Sequence, residues 1–188
     1  MDQQDPRFAE RIAEIFDLLQ NHADASYGLA GITQRQHALQ AAMFAEADGL
    51  ASPGIAAALL HDVGHLIHQL GDHPAGAGID DRHEDAGNRY LARWFPENVT
   101  EPIRLHVAAK RYLCAIEPGY FGKLSADSVL SLSLQGGPMS RQEADQFELL
   151  RYWRQAVQLR RYDEAAKIRD FETPTVAHFL PHVAASLI

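Results

Sequence analysis

The sequence predicts an all-α, single-domain protein, and three observations carry that expectation. Apolar residues recur at helical spacing along most of the chain. Two capping-box patterns, Thr33-Gln34-Arg35-Gln36 and Ser140-Arg141-Gln142-Glu143, mark helix starts. An Ala-rich run over residues 53–70 is apolar on nearly every side, as a central buried helix requires.

The elements follow in order. Residues 7–20 place Phe8, Ile12, Ile15, Phe16 and Leu19 on one helical face. Residues 21–32 hold Gly28 and Gly31 without a clear period and read as a loop. The helix opened by Thr33 runs to Gly49, a natural residue just past a helix end. Ser52-Pro53 offers an N-cap and a first-turn proline for a helix over 53–70. Residues 71–81 form a loop with three glycines and Pro74; helices follow over 82–95 and 97–113. Residues 117–123 connect, and the short apolar segment 126–134 fits helix or strand. Gly136-Gly137-Pro138 breaks the chain. Helical pattern resumes at Ser140 and continues with minor breaks to Ile168, and a last short helix covers 174–183. Repeats and linkers are absent, so residues 1–188 read as one domain.

Bulk properties narrow the function. A net charge of -8 without a basic stripe argues against nucleic-acid or membrane-surface binding. Small anionic substrates stay open, since they need only a local cluster of cations. The single Cys114, the lack of a signal-peptide pattern after Met1 and the lack of a ~20-residue apolar run suggest a soluble, cytoplasmic protein. Oligomeric state is not legible.

The sharpest local feature is His61-Asp62, which follows Leu59-Leu60 at the end of an apolar run. An imidazole and a carboxylate buried together need a partner that offsets their desolvation, and a metal cation does so. His37 precedes the pair; His83, His106 and Asp163 follow. Taken singly, His37, His83 and His106 read as ordinary core or surface histidines, and the ordered set is what raises them together. Four His and two Asp exceed what one catalytic ion with an open position needs, whereas two ions sharing a bridging Asp use them all. His61/His65 and His106/Lys110 are i, i+4 pairs, and Arg160, Asp163 and Lys167 share one helix face. Cations beside ligand-type residues suggest an anion held next to metal, although Arg160 and Lys167 read equally as ordinary helix charges. His22, His68, His73, His178 and His182 read as non-ligands.

The order His37, His61-Asp62, Asp163 resembles the signature of the HD-domain superfamily of metal-dependent enzymes. The added His83 and His106 resemble its two-metal branch. Four stretches are similar to the phosphonate-degrading oxygenases of that branch, relatives of myo-inositol oxygenase. These are Tyr27 with Thr33-Gln34 and His37-Ala38-Leu39-Gln40; His61-Asp62-Val63-Gly64-His65; His106-Val107-Ala108-Ala109-Lys110; and Leu159-Arg160 through Asp163 to Lys167. The resemblance covers about residues 27–167.

It implies an HD-domain helical bundle that cleaves the C–P bond of a 1-hydroxyalkylphosphonate, using two Fe ions (mixed-valent Fe(II)/Fe(III)) and O2 as co-substrate. It implies that His37, His61, Asp62 and Asp163 hold one iron, with Asp62 bridging, and that His83 and His106 hold the second. Tyr27 would occupy the second iron at rest and leave when substrate arrives. His65, Lys110, Ser128 and Arg160 would bind the phosphonate, Arg160 as a two-pronged donor. The family member acting on the 2-amino substrate carries a Glu where Ala30 stands here. A 2-substituent other than a plain amine is therefore expected. Asp80, Asp81 or an aromatic ring would receive a different cation, such as trimethylammonium. The rival reading is a dinuclear phosphohydrolase, which uses the same ligands on a phosphate ester.

Overall fold

Ten α-helices carry the residues described by the computed structural model, which are 6–28, 31–67, 70 and 74–188. In chain order they are α1 (Pro6–Asn21), α2 (Gln34–Ala47), α3 (Ser52–Leu60), α4 (Val63–Ile67), α5 (His83–Leu91), α6 (Glu97–Ile116), α7 (Ala126–Leu134), α8 (Arg141–Phe147), α9 (Trp153–Ala165) and α10 (Val176–Ala184). No strand occurs among the described residues; the nearest feature is one isolated bridge between Ser26 and Thr33. None of these helices is long and apolar enough to cross a membrane.

Helix α3 is the centre, buried from Ile55 through Leu60. Its Ala56, Ala57 and Ala58 present only methyl groups, so α2, α6, α9 and α10 all close on it. Phe95, Phe179, Leu59, Leu60 and Ile103 fill the space between them. A second, smaller core of Tyr112, Leu113, Tyr120 and Phe147 joins the far end of α6 to α8 and α9. Because α6 and α9 contribute to both cores and pack on each other, the described helices form a single domain.

Both capping boxes form. Thr33 Oγ1 accepts from Gln36 N while Gln36 Oε1 accepts from Thr33 N, and Ser140 and Glu143 do the same. Gly49 follows α2 with φ 73°, the left-handed residue expected there. The open segment 126–134 is helix α7, started by Ser125, which accepts from Ser128 N.

Four expectations are corrected. The run 53–70 is not one helix: α3 ends at Leu60, His61 and Asp62 make a turn, and α4 begins at Val63. Apolar composition could not reveal that break. Ser52 is not the N-cap; Ala51 holds that place, and the Ser52 hydroxyl meets His182 Nδ1 at 3.0 Å. The helix expected over 82–95 covers only His83–Leu91. The pattern expected to reach Ile168 ends at Ala165, its break falling between α8 and α9. His68, His73 and Ala30 lie outside the described residues.

The crossing of α4 and α5 brings His83 beside Asp62, and it depends on glycine. A Cβ on Gly64 would stand 2.0 Å from the His83 carbonyl oxygen and 2.6 Å from its carbon. Across the same contact, a Cβ on Gly87 would stand 3.2 Å from Val63 Cγ1. Gly64→Ala must therefore push the start of α5 away. The expected cost is on the order of 3 kcal/mol of stability, accompanied by lost metal retention. Gly122, where an added Cβ would meet nothing within 4 Å, is the control. Thermal melts and metal analysis of both variants check this, and equal behaviour would contradict the crossing.

Candidate metal centre

Four imidazoles converge from four elements, and each is aimed by a hydrogen bond at its Nδ1. His37, on α2, reaches the Ala166 carbonyl at 2.7 Å. His61, in the turn after α3, reaches the Ala58 carbonyl at 2.9 Å. His106, on α6, reaches the Ile103 carbonyl at 2.7 Å. His83, at the start of α5, meets Asp81 Oδ1 at 2.9 Å. A carbonyl can only accept, so the Nδ1 atoms of His37, His61 and His106 carry protons, and the Asp81 carboxylate calls for the same at His83. In the neutral rings every Nε2 is thereby left as a lone pair pointing inward.

Those lone pairs face one another. His37 Nε2 lies 3.0 Å from His61 Nε2, and His83 Nε2 lies 3.1 Å from His106 Nε2. Asp62 stands between the pairs. Its Oδ2 is 3.4 Å from His37 Nε2 and 3.5 Å from His61 Nε2. Its Oδ1 is 3.4 Å from His83 Nε2 and 3.6 Å from His106 Nε2, and makes no hydrogen bond. Asp163 Oδ1 joins the first pair, 3.5 Å from His37 Nε2. Two donors each about 2.1 Å from one ion stand about 3.0–3.5 Å apart, so these spacings match the edges of coordination shells. Buried facing lone pairs beside a carboxylate oxygen without a donor are what a cation corrects. His65 also falls into the second group, its ring stacked on His83 at 4.0 Å between centroids.

The titration behaviour fits. Burial works against charge on every ring. Hydrogen bonds to Asp163 and Asp62 nevertheless raise His37, and Asp81 lifts His83 to about 9. Burial lowers His61, and it lowers His106 to about 3. Without a cation, His83 therefore takes up a second proton that lies toward His106, while the nearby carboxylates favour charge at His37. Asp62 and Asp163 stay ionised well below the carboxylate range: burial opposes their charge, but His61 and His37 outweigh it at Asp62 and Arg160 and Lys167 at Asp163. Metal uptake at such a site releases protons.

A cavity of about 240 Å³ opens beside these ligands. Asp62, His65, His83, His106, Lys110, Ser128, Arg160, Asp163 and Tyr27 all contribute to its wall, so the fold collects nearly the whole sequence-derived set. Tyr27 stacks on His37 at 3.8 Å, and its hydroxyl is 3.4 Å from Asp163 Oδ1, which sets it against the first group and not at the second, where the resemblance put it. Burial, with the Asp163 and Asp62 charges, keeps its phenol protonated. Lys110 Nζ donates to Ser131 Oγ at 2.8 Å. Burial first, and the Arg160 charge second, push its ammonium down to about 7.

The sequence missed what stands behind these residues. Asp81, expected as a cation receptor, instead holds His83 with Oδ1 and His65 Nδ1 with Oδ2, each at 2.9 Å. Its position two residues before His83 was the available signal. Arg160 is not poised as a two-pronged donor: its Nε donates to Tyr120, Nη1 to Asp163, and Nη2 to Ser128 and Glu164. Gln40 clamps Ile168, donating to its carbonyl at 2.9 Å and accepting from its N–H at 3.0 Å, which secures the chain beyond Asp163. His22 pairs with Asp17, and His178 and His182 with Glu46, away from the centre as expected.

A helical domain that aims buried imidazoles and carboxylates at shared points, beside a cavity walled by Lys and Arg, has the class of a metal-dependent enzyme acting on a small anion. No family model matches the chain. It is 43% identical over 174 residues to the [1-hydroxy-2-(trimethylamino)ethyl]phosphonate dioxygenase (glycine-betaine-forming) of Leisingera caerulea, covering 93% of this chain and 87% of that one. It is 40% identical over 179 residues to the hydroxymethylphosphonate dioxygenase of Gimesia maris, covering 95% and 89%. An uncharacterized protein, L432, of Acanthamoeba polyphaga mimivirus is 32% identical over 85% of the chain and 74% of its own length. The chain belongs to the phosphonate dioxygenase family and is an oxygenase.

Asp62 faces both histidine pairs, so Asp62→Ala is expected to empty both groups; elemental analysis retaining half the wild-type metal would show that the pairs act independently. In metal-free protein, Lys110→Met is expected to raise stability. Below about pH 7 both the folded and the unfolded chain carry the Lys110 proton, and only the folded chain buries that charge, so the wild-type penalty is then fully present. It fades as pH rises toward the ordinary lysine value near 10.5. Urea melts at pH 6 and pH 9 should show the larger gain at pH 6, and the reverse order would refute the buried-ammonium assignment.

Proposed function

We propose that the chain is an O2-dependent di-iron oxygenase that cleaves the C–P bond of a 1-hydroxyalkylphosphonate, giving a carboxylic acid and inorganic phosphate. The observation that carries this is Asp62, whose two oxygens face two separate histidine pairs in one cavity wall. His37, His61, Asp62 and Asp163 would hold one iron. His83 and His106, with the other Asp62 oxygen, would hold the second. Bound there, the irons would supply the oxygen activation and the oxidising power for breaking the C1–H bond. Substrate plus O2 equals the two products in atoms and electrons, so no outside reductant enters.

The chain's own residues bind and orient the substrate. Lys110, Ser128, Arg160 and His65 wall the same cavity as Asp62, His83, His106 and Asp163, and would receive the phosphonate. Lys110 would hold its proton more firmly once a dianion sits beside it. Tyr27 would cover the site, leaving its stack on His37 as substrate enters. Pro74, Ile79, Val107, Leu130 and Leu134 line the cavity with apolar surface, and Asp80 and Asp127 add carboxylates. Tyr27 and histidines are the aromatic lining residues described, so a 2-substituent would meet a carboxylate or an aliphatic wall rather than an aromatic cage. The whole of residues 1–188 is proposed to act as one unit.

The test uses iron-loaded protein with hydroxymethylphosphonate, its 2-trimethylammonio-ethyl counterpart and its 2-amino-ethyl counterpart. Oxygen uptake and phosphate release are expected in equal amounts with at least one substrate, and both should stop under argon. Phosphate release that persists under argon would replace this reading with hydrolysis.

A further inference from the structure

Two of the donors expected to grip the phosphonate, Ser128 and Arg160, already grip a carboxylate together with Lys167. Glu164, next to Asp163 on α9, lines no part of the cavity and stands behind Ser128, Arg160 and Lys167, which do. Its Oε2 accepts from Arg160 Nη2, from Lys167 Nζ at 2.9 Å and from the Ser128 hydroxyl at 3.1 Å. Its Oε1 accepts from Ser125 N at 2.8 Å. None of the three donors depends on Glu164 for its place. Arg160 is also held by Tyr120, Asp163 and Ser128. Lys167 also reaches Ser128 Oγ at 3.1 Å and Ser125 Oγ at 3.4 Å, and stands 3.7 Å from Asp163. Ser128 is fixed by its backbone N–H on the Ser125 cap.

A carboxylate that is redundant for position still acts through its charge. Arg160 and Lys167 bring two positive charges to this wall, and Asp163 and Glu164 cancel both. At Arg160 and Lys167 an arriving dianion therefore meets directional donors whose own charge is already matched. We infer that Glu164 is a resident competitor for the anion-binding donors, weakening their hold on phosphate so that the product leaves. The inference rests on the phosphonate-oxygenase reading above. It assigns Glu164 a role in product release rather than in the chemistry.

The experiment titrates inorganic phosphate calorimetrically into iron-loaded wild type and Glu164→Gln, with kinetics on the best substrate found above. The amide keeps an acceptor for the donors and removes the charge. Phosphate is expected to bind on the order of tenfold more tightly to the variant, with KM and kcat both lowered because release slows. Unchanged or weaker phosphate binding at full metal content overturns the inference and leaves the oxygenase reading standing. A wild type that binds neither phosphate nor substrate overturns both. Should Glu164→Gln fail to fold, Glu164→Asp serves. Its shorter side chain loosens the competitor, and phosphate affinity is expected to rise two- to threefold, with no rise counting against the proposal.

Discussion

Asp62 sits buried between two pairs of imidazoles whose lone pairs point at each other, and much of the molecule exists to hold that arrangement in place. Left alone, these groups would rotate apart or take up protons, because bare acceptors at 3.0 Å repel and burial denies them water. The helices prevent rotation. Three of the four rings are tied through Nδ1 to backbone carbonyls and the fourth to Asp81, so ring orientation is inherited from the local backbone. Binding energy for a metal is thereby built in before any metal arrives.

The packing serves the same end. Three successive alanines in α3 let four helices approach closely, and α3 stops at Leu60 so that His61 and Asp62 can turn inward together. Gly64 lets α4 touch the first residue of α5, which carries His83 across to Asp62. The Ala166 carbonyl just past α9 orients His37, and Gln40 secures the neighbouring Ile168, so the end carrying Asp163 is tied back to α2. His61, His83 and His106 are thus aimed by neighbours in their own segments and His37 by the end of α9, while helix packing brings the four together.

Charge in the cavity is balanced rather than merely positive. Arg160 and Lys167 are matched by Asp163 and Glu164, while Lys110 is buried with Ser131 as its hydrogen-bond acceptor and is pushed down to about 7. A site arranged this way receives an anion without holding it indefinitely, which suits turnover. Membership of the phosphonate dioxygenase family, at 40–43% identity over most of the chain, gives that anion a chemical identity to test.

The helical class was legible because apolar spacing and capping boxes are local, and both predicted capping boxes form with their reciprocal hydrogen bonds. The ligand-type residues were legible because His61-Asp62 after Leu59-Leu60 is costly to bury without a purpose, and the other four fall in order around it. The break between α3 and α4 was not, since continuous apolar composition hides a two-residue turn. Asp81 as the support of two imidazoles, Arg160 as a committed rather than open donor, and Glu164 as the hub behind it were also hidden. Those roles depend on which side chains meet across helices far apart in the chain. Residue type and spacing along one helix set what a side chain can offer, but only the packing of all the helices decides what is there to accept it.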